Sequence, residues 1–319
     1  MATLAIATAG GHLQELRELL PRITPLDCDD VTWVTFDTAQ ARSLLAGQQV
    51  LYVPYTPPRS LRRVLSNAFA ASGVLRRHRY RYALSTGSGV AVSFLPMARL
   101  SGSSCHYIES ATRVVGPSLT GKILERIPGI NLYTQSESWA GRRWHFRGSV
   151  FDSYQPASRE HVATSPRKIV VATGSSAIYG FRALIERLVE IIPSDVEVLW
   201  QTGSTDVTGL AINPQPELPS QELSLAFAEA DVVIAHAGVG TALLALSQGH
   251  CPILVPRRRV RGEHIDDHQL QIAEMLGARD LALSAEVEDL DYPLLLKAAA
   301  RRVVRVGGRP PFQLVKDHR

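Results

Sequence analysis

The stretch that most constrains the fold runs from Asp231 to Gln269, DVVIAHAGVGTALLALSQGHCPILVPRRRVRGEHIDDHQ. Val232, Val233 and Ile234 are apolar at consecutive positions, the pattern of a parallel strand covered on both faces. His236-Ala237-Gly238-Val239-Gly240-Thr241 follows as a glycine turn into an apolar-periodic helix of roughly ten residues. A second buried strand is expected at 252–255, then a basic loop with Arg257, Arg258, Arg259 and Arg261. Glu263-His264-Ile265-Asp266-Asp267-His268-Gln269 then opens another helix. Strand, glycine turn, helix and strand in that order belong to an α/β protein.

A glycine turn of this kind lets a ligand approach the backbone, and the free N–H groups of the helix start offer partial positive charge to a phosphate. The dipole contributes only about 0.3–2 kcal/mol, so polar side chains must supply much of the selectivity. Glu263 can accept both hydroxyls of a ribose, and the Gln269 amide can donate to and accept from sugar hydroxyls.

The ordered set H-A-G-x-G-T, P-x-x-x-P-R and G-E-H-x-D-D-H-Q resembles the donor half of a glycosyltransferase family. Its members move N-acetylglucosamine or a related sugar from a UDP-sugar to a lipid diphosphate. The resemblance, of the family 28-like GT-B type, implies that the 238–241 turn, with Gly238, Gly240 and Thr241, holds the diphosphate, and that His236 and Arg257 belong to the donor site. It further implies that Glu263 holds the ribose, and Gln269, Asp267 and His268 the sugar.

At 319 residues, with 45 % hydrophobic and 20 % charged residues, the chain has material for two cores. The alternation of elements predicts α/β domains with parallel sheets. Strands are expected at 3–8, 31–36, 50–53, 82–85, 104–108 and 130–133, and again at 168–172, 195–200, 231–234 and 252–255. Leu4-Ala5-Ile6-Ala7-Thr8-Ala9-Gly10-Gly11 matches Ile169-Val170-Val171-Ala172-Thr173-Gly174-Ser175-Ser176: each is an apolar strand, a small-residue turn and a helix. Two Rossmann-like domains facing a cleft are expected, an acceptor-binding, membrane-facing one at 1–155 and a donor-binding one at 156–319. Their glycine turns would lie at the carboxyl ends of the strands. Thr173, Gly174 and Ser175 either close over the uridine or its phosphates or form only a turn.

The opening Gly10-Gly11-His12 resembles the acceptor half of the same family. So do Ser85-Thr86-Gly87-Ser88-Gly89 and the block Tyr107 to Arg113 with Ser118 to Lys122. The two halves are separate subunits in the dolichol-linked chitobiose-forming transferase and paired proteins in bacterial exopolysaccharide pathways; here they stand in one chain. Sugar transfer to a hydroxyl needs a base and stabilisation of the departing UDP. His12 can be that base with a pKa near its ordinary value of about 6.5, or it caps or binds acceptor phosphate. Glu109 can be the base if burial raises its pKa, or it pairs with Arg113. Gly10, Gly11, Thr86, Gly87, Ser110, Arg113 and Lys122 are the acceptor-binding candidates, and Arg113 and Lys122 suit a diphosphate.

The segment 59–82, RSLRRVLSNAFAASGVLRRHRYRY, reads as a helix with Leu61, Val64, Leu65, Ala68, Phe69 and Leu75 between arginine-rich ends. It either lies in the interfacial plane of an anionic leaflet or crosses over the core with solvated ends. No run is long enough to span a bilayer, and MATLAIATAGGH has no basic region of a secretion signal. Cys28, Cys105 and Cys251 lie far apart, as in a protein with reduced thiols. A cytoplasmic protein at the inner face of the plasma membrane is therefore expected.

No metal or other cofactor is expected. His264 and His268 lack an H-E-x-x-H context, and no D-x-D motif is present. The G-x-S-x-G and P-loop motifs are missing. The +4 net charge, without aromatics interleaved among basic clusters, points away from nucleic acid. The expected function is inverting transfer of glucuronic acid, N-acetylglucosamine or galactose from a UDP-sugar to a polyprenyl-diphosphate-linked sugar, in exopolysaccharide or glycolipid assembly. The arginines at 257–261 could pair with a uronic carboxylate, serve the diphosphate or face water. The alternatives are a UDP-sugar epimerase of the same architecture and a non-catalytic membrane-recruiting subunit.

Overall fold

The structure, a computed structural model, describes residues 2–26, 30–56, 61–158, 165–174, 179–264, 267–308 and 310–315. Ser175, Cys28, Arg59 and Asp266 lie outside these residues. The chain divides into two compact units, residues 1–150 with 309–319, and residues 151–308.

The first unit opens with β1 (Thr3–Ala7), α1 (Gly11–Leu19) and the short β2 (Ile23–Thr24). Then follow β3 (Val31–Phe36), α2 (Ala39–Leu44), β4 (Gln49–Val53) and α3 (Leu61–Arg77). β5 (Tyr82–Gly87), α4 (Gly89–Leu100), β6 (Ser104–Ile108), α5 (Leu119–Leu124), β7 (Ile130–Thr134) and β8 (Trp144–Phe146) complete its main sheet and cover. That sheet is parallel throughout, in the order β4-β3-β1-β5-β6-β7-β8. Every residue of β1 and β3 is buried, which is why their sequences show no alternation. Among the described residues, Leu4, Ile6, Val34, Phe94, Tyr107 and Leu132 form part of the core beneath the helices.

The second unit contains β9 (Tyr154–Ser158), β10 (Lys168–Ala172), α6 (Arg182–Ile191), β11 (Glu197–Gln201), β12 (Pro214–Gln215) and α7 (Ser220–Glu229). It continues through β13 (Val232–His236), α8 (Val239–Ser247), β14 (Ile253–Val255), α9 (His268–Ala278), β15 (Leu283–Ser284), α10 (Tyr292–Ala299) and β16 (Arg301–Arg305). Its parallel sheet runs β12-β11-β10-β13-β14-β15, and β9 and β16 form a separate antiparallel ribbon. Both units are thus α/β with a Rossmann-like parallel sheet.

Three sequence expectations change in the structure. The strand expected at 195–200 begins at Glu197, because Val196 N–H donates to the Pro193 carbonyl in a turn. The stretch 139–166, where the sequence predicts no strand, holds β8 and β9, both anchored by aromatic side chains, Trp144 and Tyr154, that are almost fully buried. A donor domain running from 156 to 319 is also revised. The second unit starts at 151, and β17 (Phe312–Gln313) returns to pair in parallel with β2 of the first unit. Phe312 is fully buried there, its ring 5.4 Å from that of Tyr133. Burying so large a ring outweighs the short strand's weak pairing.

Candidate functional site

In each sheet the strand order reverses at one place, where open α/β sheets bind ligands beyond the carboxyl ends of the strands. In the second unit that place lies between β10 and β13. β10 delivers Thr173 and Gly174; β13 delivers His236 and Gly238.

The His236 ring fixes both turns. A Cβ added to Gly174 would lie 2.5 Å from its Cε1, and one added to Gly238 would collide with Nε2. Gly174 also has φ +86°, a left-handed conformation that side-chain-bearing residues avoid. Nδ1 of His236 lies 3.3 Å from the Ala172 carbonyl oxygen, placed for a neutral ring to donate. Desolvation, with the nearby Arg257 guanidinium, pushes the His236 pKa down to about 3, so the ring is uncharged at neutral pH.

Gly238 caps α8, and Gly240 and Thr241, in its first turn, are half-buried. The first N–H groups of such a helix have no acceptor within it. Beside this turn Arg257 is only 2 % exposed. Its Nη2 donates to Thr173 O at 2.7 Å, and its guanidinium lies 5.5 Å from the Phe181 ring centre. Its Nε has no hydrogen-bond partner among the described residues. Burial lowers its pKa to about 10, which leaves it charged at neutral pH. A buried cation with an open donor favours an anionic ligand.

The other expected donor residues have more defined roles than their sequence suggested. Thr173 is fully buried, its hydroxyl donating to Gln201 O at 3.3 Å. Gln201 also brackets Gly174, accepting its N–H and donating to its carbonyl, both at 3.2 Å. Sequence reasoning did not single out Gln201; an amide closing the apolar run of a strand is the signal that could have found it. Gln269 is 4 % exposed and its Oε1 accepts Arg257 N–H at 2.9 Å. Glu263 is half-buried, with Oε2 accepting Arg258 N–H at 3.0 Å. Asp267 Oδ1 accepts Arg259 N–H at 3.0 Å, and that bond holds its pKa below the ordinary carboxylate value. His268 opens α9, its ring edge-on to His264 at 4.6 Å. Arg258 pairs with Glu286 and Asp267, and Arg261 with Glu288 and Glu286.

The first unit repeats the arrangement between β1 and β5. Gly10, φ +91°, caps α1, and Gly11 and His12 begin that helix. His12 is half-buried against Gly87, where an added Cβ would lie 2.8 Å from its Cε1. Thr86 is fully buried and donates its hydroxyl to His12 O at 2.7 Å. Ser88 follows with φ +71°, uncommon for a residue with a side chain. The structure therefore brings Gly10, Gly11, His12, Thr86 and Gly87 together.

Glu109 is 1 % exposed. Its Oε1 accepts from Tyr107 OH at 3.0 Å and Ser110 N–H at 3.3 Å; its Oε2 accepts from Ser118 N–H and hydroxyl, both at 2.9 Å. Desolvation raises its pKa. These bonds fold the 109–118 loop, which carries Arg113, and hold Ser118, whose Oγ caps α5 by accepting Gly121 N–H; Lys122 on that helix is exposed. Ser110 is 5 % exposed, its Oγ accepting from the Thr112 hydroxyl at 3.1 Å.

A second buried carboxyl, Glu15, escaped the sequence reading. It lies on α1, one turn beyond His12, and is fully buried. Its Oε1 accepts Ala111 N–H at 2.6 Å and Gln135 Nε2–H at 2.5 Å. Its position within the Leu13, Leu16, Leu19 stripe was the available signal.

Residues 168–296 match the glycosyltransferase family 28 C-terminal domain. The chain is 25 % identical over 252 residues to a UDP-N-acetylglucosamine–N-acetylmuramyl-(pentapeptide) pyrophosphoryl-undecaprenol N-acetylglucosamine transferase of Cupriavidus necator, covering 75 % of this chain and 68 % of the relative. It is 28 % identical over 260 residues to the same-named enzyme of Xanthomonas axonopodis pv. citri, covering 78 % of this chain and 58 % of that one. The fold is similar to that of MurG from Acinetobacter baumannii, with TM-score 0.56, 17 % identity, and 93 % and 89 % of the two chains covered.

The chain is a family 28-like GT-B glycosyltransferase. A solved S. aureus MnaA–UDP complex shares the fold, with TM-score 0.56, 10 % identity, and 94 % of each chain covered. The family 28 match in this transferase takes in β10, the His236–Gly238 turn, Arg257 and the start of α9.

Proposed function

We propose that the chain transfers N-acetylglucosamine from its UDP-sugar to a polyprenyl-diphosphate-linked acceptor, with inversion, in exopolysaccharide or glycolipid assembly. The observation that carries the donor half is Arg257, a buried cation with an open Nε beside the α8 turn. Arg257 and the N–H groups of Gly240 and Thr241 would hold the diphosphate and stabilise it as UDP departs. Glu263 keeps one carboxylate oxygen for the ribose. Gln269, whose carbonyl oxygen is engaged by Arg257 N–H, would offer its amide N–H groups to the sugar, beside His268. Asp267 would act indirectly, by shaping the 258–267 loop.

A neutral N-acetyl sugar is favoured over glucuronic acid. Of the loop arginines, Arg258 and Arg261 are paired with Glu286, Asp267 and Glu288, and Arg257 is given to the diphosphate, which leaves only the exposed Arg259 for a uronic carboxylate. The names of the relatives point the same way.

In the first unit His12 is the proposed base. Its ring is half-buried at the strand-order reversal, whereas both Glu109 oxygens already accept hydrogen bonds. The acceptor hydroxyl attacks the anomeric carbon, the C–O bond to UDP breaks, and the hydroxyl proton passes to His12. Gly10 and Gly11 with Arg113 and Lys122 would meet the acceptor diphosphate.

The exposed face of α3 suits an anionic membrane surface at the cytoplasmic side. Leu65 and Phe69, one turn apart, are 69 % and 83 % exposed, and Arg62, Arg63, Arg76 and Arg77 are exposed beside them. Among the described residues no helix is long and apolar enough to cross a membrane.

Calorimetry with UDP on the wild type and Glu263→Ala, followed by transfer to a polyprenyl-diphosphate acceptor, tests the reading. UDP should bind, and the variant should weaken it by about 1.5–3 kcal/mol, the worth of a charged hydrogen bond. Product should form from UDP-N-acetylglucosamine, also in EDTA, since the proposed leaving-group stabilisation uses no metal. Binding indifferent to Glu263 sinks the donor assignment; preferential use of UDP-glucuronic acid sinks the sugar assignment. Interconversion of the UDP-sugar without an acceptor would favour the epimerase instead.

A further inference from the structure

We propose that Glu15 is a positioning residue for the transfer, its carboxyl tying α1, which carries His12, to the backbone of the loop that carries Arg113. The proposal rests on the reading of His12 and Arg113 as acceptor-side groups. Glu15 sits inside the apolar stripe of α1, yet a carboxyl at such a position is costly to bury unless it is well bonded. The two bonds to its Oε1 are long-range: Ala111 N–H belongs to the loop after β6, and Gln135 Nε2–H to the segment after β7. Gln135 reaches further, donating to Glu109 O at 3.1 Å and accepting Val150 N–H at 2.7 Å. One oxygen of Glu15 thus joins the helix of the proposed base to the ends of two neighbouring strands.

A carboxyl is a demanding choice for this task. Glutamine has the same length and supplies an equivalent acceptor oxygen. The titratable group acting on Glu15 is Glu109, which opposes a second negative charge in the same interior; burial, with the Glu109 and Glu15 carboxyls, pushes the Tyr107 pKa well up, so that hydroxyl stays neutral. Burial is the largest influence and raises its pKa from 4.5 to about 8, against the Ala111, Ser110 and Gln135 hydrogen bonds. The folded chain then holds a proton on Glu15 that the unfolded chain releases at lower pH. Stability therefore falls as pH rises from about 4.5 to about 8 and levels off above that. A glutamine at this position keeps the bonds and lacks that penalty.

The test compares Glu15→Gln and Glu15→Ala in the full chain by hydrogen exchange of the 109–113 backbone, by Tm against pH, and by transfer kinetics. Glu15→Gln should retain exchange protection at Ala111 and kcat within about threefold. Its Tm advantage over the wild type should grow from pH 5 to pH 8. Glu15→Ala should lose protection at Ala111 and lower kcat by about tenfold or more, the scale of a small misplacement of reacting groups, with KM for the UDP-sugar unchanged. The proposal is overturned if Ala111 protection survives in Glu15→Ala, if Glu15→Gln loses as much as Glu15→Ala, or if the Tm difference is flat with pH. Should Glu15→Ala not fold, protection and Tm of Glu15→Gln decide the question. If the wild type makes no product, the transfer reading fails while exchange and Tm still decide whether Glu15 is the tie.

Discussion

Glycine at 174 and at 238 looks like one requirement repeated, yet the two positions differ. Gly238 has φ −94°, open to any residue, so what an added methyl there meets first is the His236 ring. Gly174 meets the same ring and also has φ +86°. Gly238→Ala should therefore cost about 1–3 kcal/mol by overpacking, and the cost should vanish when His236 is replaced by alanine. Gly174→Ala should keep a residual cost of about 1–2 kcal/mol in that background, from its backbone conformation. Chemical denaturation of the four-member cycle for each pair measures this. Equal relief at both positions would show that the histidine alone sets the glycine requirement. The H-A-G-x-G-T pattern made Gly238, Gly240 and His236 legible as a turn for a ligand. The histidine wedged between two glycines from different strands was not legible, because no local spacing links 174 to 236.

At the scale of elements, α3 shows how one sequence can satisfy two readings. Its helical period puts Asn67, Ala71 and Leu75 on a buried face, with Asn67 Nδ2 donating to Pro54 O at 3.0 Å and Thr56 Oγ1 at 2.8 Å. Leu65 and Phe69, counted equally as apolar in the sequence, face outward. The pattern of the residues could not divide one apolar set between core and surface, since that depends on which side the sheet covers. Replacing Leu65 and Phe69 together by serine should leave Tm within about 2 °C, as for surface changes. Co-sedimentation with vesicles containing anionic lipid should drop about tenfold, whereas Leu75→Ser should lower Tm first. Unchanged sedimentation of the double variant would remove α3 from the membrane contact.

Across the whole molecule, the last described strand belongs to the first unit although it follows the second in sequence. Arg22, itself 2 % exposed, helps hold that return, donating Nε–H to Pro310 O at 2.8 Å and Nη1–H to Ser149 O at 2.7 Å. Phe312→Ala should cost about 3–5 kcal/mol, the usual penalty for emptying a buried phenylalanine site. In calorimetry the loss should appear in unfolding of the first unit, with the second unit's transition unmoved. An equal shift in both transitions would mean that the two units unfold together.

Hydrophobic runs and turn chemistry are local, so the α/β class, most strand positions and the glycine turns at 10–11, 87, 174 and 238 could be read from the amino-acid order alone. The folded structure set what each polar side chain does. It bonded both oxygens of Glu109, engaged the Gln269 carbonyl, paired Arg258 and Arg261 with acids near position 287, and buried Glu15 beneath the 109–113 loop. A side chain's role follows from which distant groups share its low-dielectric surroundings, and those neighbours come together only when the sheets form.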